Sequence, residues 1–166
     1  EGHETWLANT VGDSVNWKSF EWAHAADPDA ILYANEYNVV VWGTAPAYHA
    51  LIETLVAKGA PIHGIGAQGH MEGDIDWNDV KEKLDYMADL GLPIRITEFD
   101  MKIDEFSVSD LNMAARYAEM MRTVFSHPAV NGMVFWTNWD GDAWRAGSGL
   151  YDAYRIPKLA ADTVYH

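Results

Sequence analysis

Cysteine is absent from all 166 residues, so the chain can build neither a disulfide framework nor a thiolate metal site. Positive charge is scarce as well: 11 Lys and Arg face 25 Asp and Glu, for a formal net charge of −14. Such a surface repels polyphosphates and anionic lipid, so no nucleic-acid partner is expected. No apolar run is long enough to span a bilayer, so no membrane partner is expected either, and Glu1-Gly2-His3-Glu4 shows no signal-peptide pattern. A His-Glu-x-x-His motif is missing, and Asp74, Asp76 and Asn78 lack the glycine and final glutamate of a calcium loop. Neither metal nor cofactor is expected. No Gly/Ser-rich linker, low-complexity tract or charge block divides the chain, so residues 1–166 read as a single domain.

What is abundant is aromatic: eight Trp and eight Tyr. Four short runs rich in branched or aromatic residues also recur, at 31–35, 63–68, 94–98 and 132–136, and each reads as a buried strand. Helical patterns lie between them. Thr44 is placed to cap a helix carrying Tyr48, Leu51, Ile52, Leu55 and Val56 on one face and ending at Gly59. Asp76 is placed to cap a second, striped by Val80, Leu84, Met87 and Leu90 and closed by Gly91. Ser109 opens a third, with Ala114, Tyr117, Met121 and Val124 at helical spacing. A helix near 13–26 precedes the first strand, and a short one near 157–164 ends the chain.

Strand starts at 31, 63, 94 and 132 are 32, 31 and 38 residues apart, which suits parallel strands joined by crossover helices. A doubly wound sheet and an eight-stranded barrel both fit that order. The polar residues favour the barrel, because Asn35, Tyr37, Gln68, His70, Glu98, Asp100 and Trp136 all fall at or just past carboxyl-terminal strand ends. A complete barrel takes roughly 250 residues. The expected fold is therefore α/β, of the (β/α)8 TIM-barrel type, with only about the last four β/α units in this chain.

Retaining glycosidases use two carboxyl groups about 5–5.5 Å apart, one as nucleophile and one as acid and then base. Glu98 is the candidate nucleophile, since glutamate has poor strand propensity and its neighbours in Ile94-Arg95-Ile96-Thr97 are apolar or small apart from Arg95. A structural ion pair with Arg95 is the competing reading. His70 is placed to hold the Glu98 carboxylate and Gln68 to contact a sugar hydroxyl. Tyr37, Trp136, Trp139 and Trp144 offer flat apolar faces for pyranose rings, although any one of them alone reads as core.

Asn35-Glu36-Tyr37-Asn38, Gly64-Ile65-Gly66-Ala67-Gln68-Gly69-His70, Gly91–Asp100, and His127–Gly132 with Phe135-Trp136 resemble, in order and spacing, glycoside hydrolase family 10, the retaining endo-β-1,4-xylanases. The resemblance runs from about Asp13 to the carboxyl end and implies xylan or xylo-oligosaccharide as substrate. It implies Glu98 as nucleophile, His70 as its hydrogen-bonding partner and Asp100 as support. Gln68, Tyr37, Asn35, Trp136, Trp144 and Arg145 would border bound sugar.

Two positions depart from the family pattern: Glu36 stands where Asp is usual, and Thr137 where Gly is common. The family's acid/base belongs to an Asn-Glu on an earlier strand, and no such pair precedes the first helix. Glu1-Gly2-His3 resembles the stretch a few residues beyond it. A complementary amino-terminal half-barrel, or self-association, is thus expected, with the isolated chain nearly inactive. The alternative is a non-catalytic carbohydrate-binding half-barrel. In either case an open half-barrel is expected to expose sheet edges and one apolar face. A polymeric substrate implies an extracellular location.

Overall fold

The computed structural model describes residues 14–102 and 110–165, together with Asn9, Thr10 and Gly12. Helix α1 (Val15–Ala26) leads into strand β1 (Tyr33–Glu36), then α2 (Ala45–Ala57), β2 (Gly64–Ala67), the two-residue β3 (His70–Met71) and α3 (Trp77–Ala88). Strand β4 (Ile94–Met101), α4 (Asp110–Ser126), β5 (Val130–Phe135), a 3-10 turn (Asp140–Asp142) and α5 (Leu159–Tyr165) follow. Ser109, expected to open α4, and Glu1-Gly2-His3 lie outside the described residues.

All strand pairings are parallel, β1 to β2, β2 to β4 and β4 to β5. Each new long strand adds on the same side of the last, so the sheet winds one way. A doubly wound sheet reverses order at a switch point, and none occurs among the described strands. The order is that of an arc of a barrel.

Alternate residues of the arc face the helices and are buried: Ala34, Ile65, Ala67, Ile94 and Ile96. Against them pack Tyr48, Ile52 and Leu55 of α2, Val80, Leu84 and Met87 of α3, and Met113, Tyr117, Met120 and Val124 of α4. The α2 stripe is narrower than the sequence pattern indicates, since Leu51 and Val56 are exposed at 37% and 50%. Asp76 caps α3 by accepting from the Asn78 amide at 2.9 Å. Thr44 occupies the cap position of α2 without a side-chain bond, and Pro46 in the first turn suits a helix start that needs no donor there. The Tyr48 hydroxyl reaches Ala34 O at 2.6 Å and Gly66 O at 3.2 Å, fixing α2 over β1 and β2. Burial, followed by the charge of Glu36, pushes its pKa up.

The opposite face of the sheet corrects an expectation, because it is polar. Arg95 lies over the Tyr33 ring at 5.1 Å, its Nε is 3.4 Å from Asn131 Oδ1, and Asn131 Nδ2 donates to the Tyr33 hydroxyl at 2.7 Å. A bulge makes this possible: Ile94 pairs with Val130 but Arg95 with Gly132, leaving Asn131 free of the ladder. Glycine supplies the room, since a Cβ on Gly64 would fall 2.2 Å from the Tyr33 ring. Val134, 48% exposed, adds an apolar side chain on β5.

Candidate active site

Strand ends are laced together where the polar residues collect. Gln68 N donates to Glu36 O at 3.0 Å, Glu98 N to Gln68 O at 2.7 Å and Trp136 N to Phe99 O at 2.9 Å. β4 continues through Met101, three residues past Glu98, because a second short ladder supports it: β3 pairs there, with His70 beside Asp100 and Met71 beside Met101. Between β2 and β3 the chain turns at Gly69, whose φ of +83° is left-handed backbone and whose missing Cβ would sit 2.6 Å from the Ile96 side chain. That turn delivers His70 to β4.

Glu98 is held from two sides. His70 Nε2 lies 3.2 Å from Glu98 Oε2, and Asn35 Nδ2 donates to Glu98 Oε1 at 3.1 Å. An ionised carboxylate only accepts, so the Asn35 amide nitrogen must face it and the Asn35 carbonyl must face away. Thr97 Oγ1 completes that logic by donating to Asn35 Oδ1 at 2.6 Å. Gly66, opposite Asn35 in the ladder, leaves the space, for a Cβ there would meet Asn35 Oδ1 at 2.6 Å.

Behind the imidazole, His70 Nδ1 is 2.8 Å from Asp100 Oδ1, and the Trp144 indole N–H donates to Asp100 Oδ2. Side-chain exposure falls inward along this line, from 15% at Glu98 to 10% at His70 and 0% at Asp100. An imidazolium donates to both carboxylates, whereas a neutral ring donates to one. Trp144 stacks at a tilt on His70, with centroids 4.6 Å apart, and Trp136 meets the ring edge-on at 6.1 Å. Arg145 lies 4.4 Å over the Trp144 ring and 3.7 Å from Glu72 Oε2, too far for a hydrogen bond, which leaves its buried Nη1 without one. Tyr117, buried beneath this region, has its hydroxyl pKa pushed up by burial and then by the charges of Asp100 and Asp140.

Of the residues singled out from sequence, Glu98, His70, Asp100, Asn35, Trp136, Trp144 and Arg145 form one connected group. Gln68 is tied to it by backbone hydrogen bonds, and Tyr37 is 43% exposed. Arg95 engages Tyr33 and Asn131 instead of Glu98, which removes the ion-pair reading. Thr97 and Gly66 were not singled out. Their signals were faint, a hydroxyl one residue before Glu98 and a glycine paired with Asn35.

Fold and site together define the chain as about half of a (β/α)8 barrel of the glycoside hydrolase class. It belongs to glycosyl hydrolase family 10, whose model matches residues 2–166. It is 33% identical over 148 residues to a beta-1,4-xylanase of Dictyoglomus thermophilum, covering 80% of this chain and 42% of that protein. Over 144 residues it is 35% identical to the anti-sigma-I factor RsgI6 of Acetivibrio thermocellus, covering 86% of this chain and 18% of that protein. The crystal structure of xylanase 10B from Thermotoga petrophila in complex with xylobiose superposes with a TM-score of 0.87 at 29% identity, across 96% of this chain and 52% of that one. The chain therefore spans about half of that solved barrel and less of the two relatives.

Proposed function

We propose that this chain supplies the nucleophile half of an endo-1,4-β-xylanase that cleaves internal β-1,4-xylosidic bonds of xylan with retention. The observation carrying this is the two-sided clamp on Glu98 by His70 and Asn35. Clamped, the carboxylate is oriented before substrate arrives, and one Glu98 oxygen attacks the anomeric carbon as the glycosidic C–O bond breaks. Water then hydrolyses the glycosyl–Glu98 ester. Asp100 and Trp144 keep the imidazole in place, while Trp136, Trp144, Gln68, Tyr37 and Arg145 border the sugars. A polymeric substrate supports an extracellular location as part of this reading.

Departure of an ordinary sugar leaving group needs a proton from a general acid. Asp100, the carboxyl group hydrogen-bonded to His70 behind Glu98, is fully buried. The acid/base is therefore assigned to a complementary amino-terminal half that closes the barrel against the arc. Mixing the chain with an amino-terminal half-barrel of a family 10 xylanase tests this. Xylan hydrolysis appears only in the mixture if the reading is right, and full activity of the 166-residue chain alone refutes it. The burial of Asp100 also supports a second reading, a carbohydrate-binding half-barrel without catalysis, in which the mixture stays inactive.

A further inference from the structure

The loop between β1 and α2 has a form that the catalytic group does not use. Val39, Val40 and Val41 are buried at 1%, 1% and 5% exposure, while Trp42 directly after them is 45% exposed. The backbone is left-handed at Asn38 (φ 57°) and again at Trp42 (φ 60°). For a residue as bulky as Trp that region is an outlier, kept only where surrounding packing enforces it. The three valines supply the enforcement, and the Thr44 N–H closes the loop on Asn38 O at 3.3 Å.

Two cavities of about 180 Å³ and 280 Å³ lie against this one residue. The smaller runs past Val41 and Ile75 to Glu72 and Asp74, and the larger past Pro46 to Tyr86 and Lys83. Trp42 and Asp79 border both. Their walls come from the β1–α2 loop, the loop after β3, and helices α2 and α3. An indole thus stands between two concavities, with a second aromatic ring in the larger.

We propose that this groove binds a neutral β-linked pyranose chain, a further stretch of the same polymer that the catalytic cleft takes. The inference rests on the substrate class proposed above but not on the chemistry of Glu98. The Trp42 indole face, and the face of Tyr86 that is not stacked on His49, match the apolar C–H faces of sugar rings. Glu72, Asp74, Asp76, Asp79 and Glu82 line the groove with Lys83; Asp79 pairs with Lys83 and Asp74 with Arg116, and the carboxylate oxygens left over are acceptors for hydroxyl donors. That excess of carboxylate disfavours anionic sugars. A nucleic-acid occupant is repelled by that charge, and an uncharged polyhydroxyl ligand is not. A polymer held at Trp42 would stay beside the catalytic cleft between cleavages.

The test is titration of the 166-residue chain with xylohexaose, followed by the indole N–H resonances in two-dimensional NMR. Trp42 is expected to shift saturably, and uronic-acid-substituted xylo-oligosaccharide to bind several-fold more weakly at Trp42. Trp42→Asn removes the ring yet suits left-handed backbone. It should abolish binding in the groove while Trp136 and Trp144 respond as before. If Trp136 and Trp144 shift and Trp42 does not, the groove proposal is overturned and the cleft reading survives. A silent response at all three indoles overturns the groove and also counts against the cleft as a sugar site. Tighter binding of the uronic-acid form, or a Trp42 shift that follows protein concentration instead of sugar, also overturns it.

Discussion

Asn35 and Glu98 stand 63 positions apart in the chain, and the amide of one donates to the carboxylate of the other at 3.1 Å. Thr97, adjacent to Glu98, sets the direction of that bond by taking the Asn35 carbonyl. The clamp on Glu98 is thus written partly on β1 and partly on β4, with glycine on the intervening β2 opening the path.

Replacing Asn35 by Ala should leave the fold intact and weaken the positioning of the Glu98 carboxylate. A hydrogen bond to a charged group is worth about 1.5–3 kcal/mol, so covalent labelling of Glu98 should slow by about 10- to 150-fold. Asn35→Asp should slow it at least as much, because two acceptors would then face each other. Labelling kinetics, with circular dichroism as the folding control, checks both variants.

Gly66→Ala and Gly64→Ala separate stability from site geometry. The first places a Cβ 2.6 Å from Asn35 Oδ1 and 2.9 Å from the Ala34 carbonyl; the second places one 2.2 Å from the Tyr33 ring. Overpacking of this kind costs about 1–3 kcal/mol in either case. Only Gly66→Ala should also slow labelling per folded molecule, which denaturant melts run beside the labelling assay will show.

Trp144→Phe keeps an aromatic ring against His70 but removes the N–H that Asp100 accepts. Asp100 is fully buried, and an unsatisfied buried group costs about 1–3 kcal/mol. The variant should lose stability in that range and lose labelling rate as the His70 ring loosens. Urea midpoints and labelling rates measure the two effects.

The Asp85 carboxyl is held below the usual carboxylate range, first by the Lys81 hydrogen bond and then by that of His127, whose Nε2 is 3.1 Å away. A depressed folded-state pKa contributes stability that is present above the unfolded value near 4 and lost as pH falls through the folded value. Asp85→Asn should therefore flatten the acid limb of the stability profile below about pH 4. Thermal midpoints between pH 2 and 7 read this directly.

Much of the architecture was legible because strand starts recur and helix stripes repeat: the β4 start at Ile94 and the Asp76 cap stand where periodicity put them. Strand ends were less legible. β4 runs past Glu98 to Met101 because of pairing with β3, a long-range ladder that local pattern does not encode. His70, placed from sequence at or just past the end of the preceding strand, is itself in that ladder. The open face was read as apolar on general grounds, yet Arg95, Tyr33 and Asn131 make it polar through a bulge that no spacing rule reveals. Asn35 was placed among sugar-binding residues, and the bond of its amide to Glu98 was not part of that reading. Hydrogen-bond partners across 63 positions are a property of the folded sheet.

The central claim is that Glu98 is a clamped nucleophile. A 2-deoxy-2-fluoro-β-xylobioside carrying a dinitrophenolate leaving group departs without protonation, so it should trap the nucleophile even where no acid/base is present. Peptide mass spectrometry of the treated 166-residue chain should find one added fluoroxylobiosyl group, on Glu98 and absent in Glu98→Gln. A label on any other residue, or no label at all under conditions that label an intact xylanase, would contradict the account.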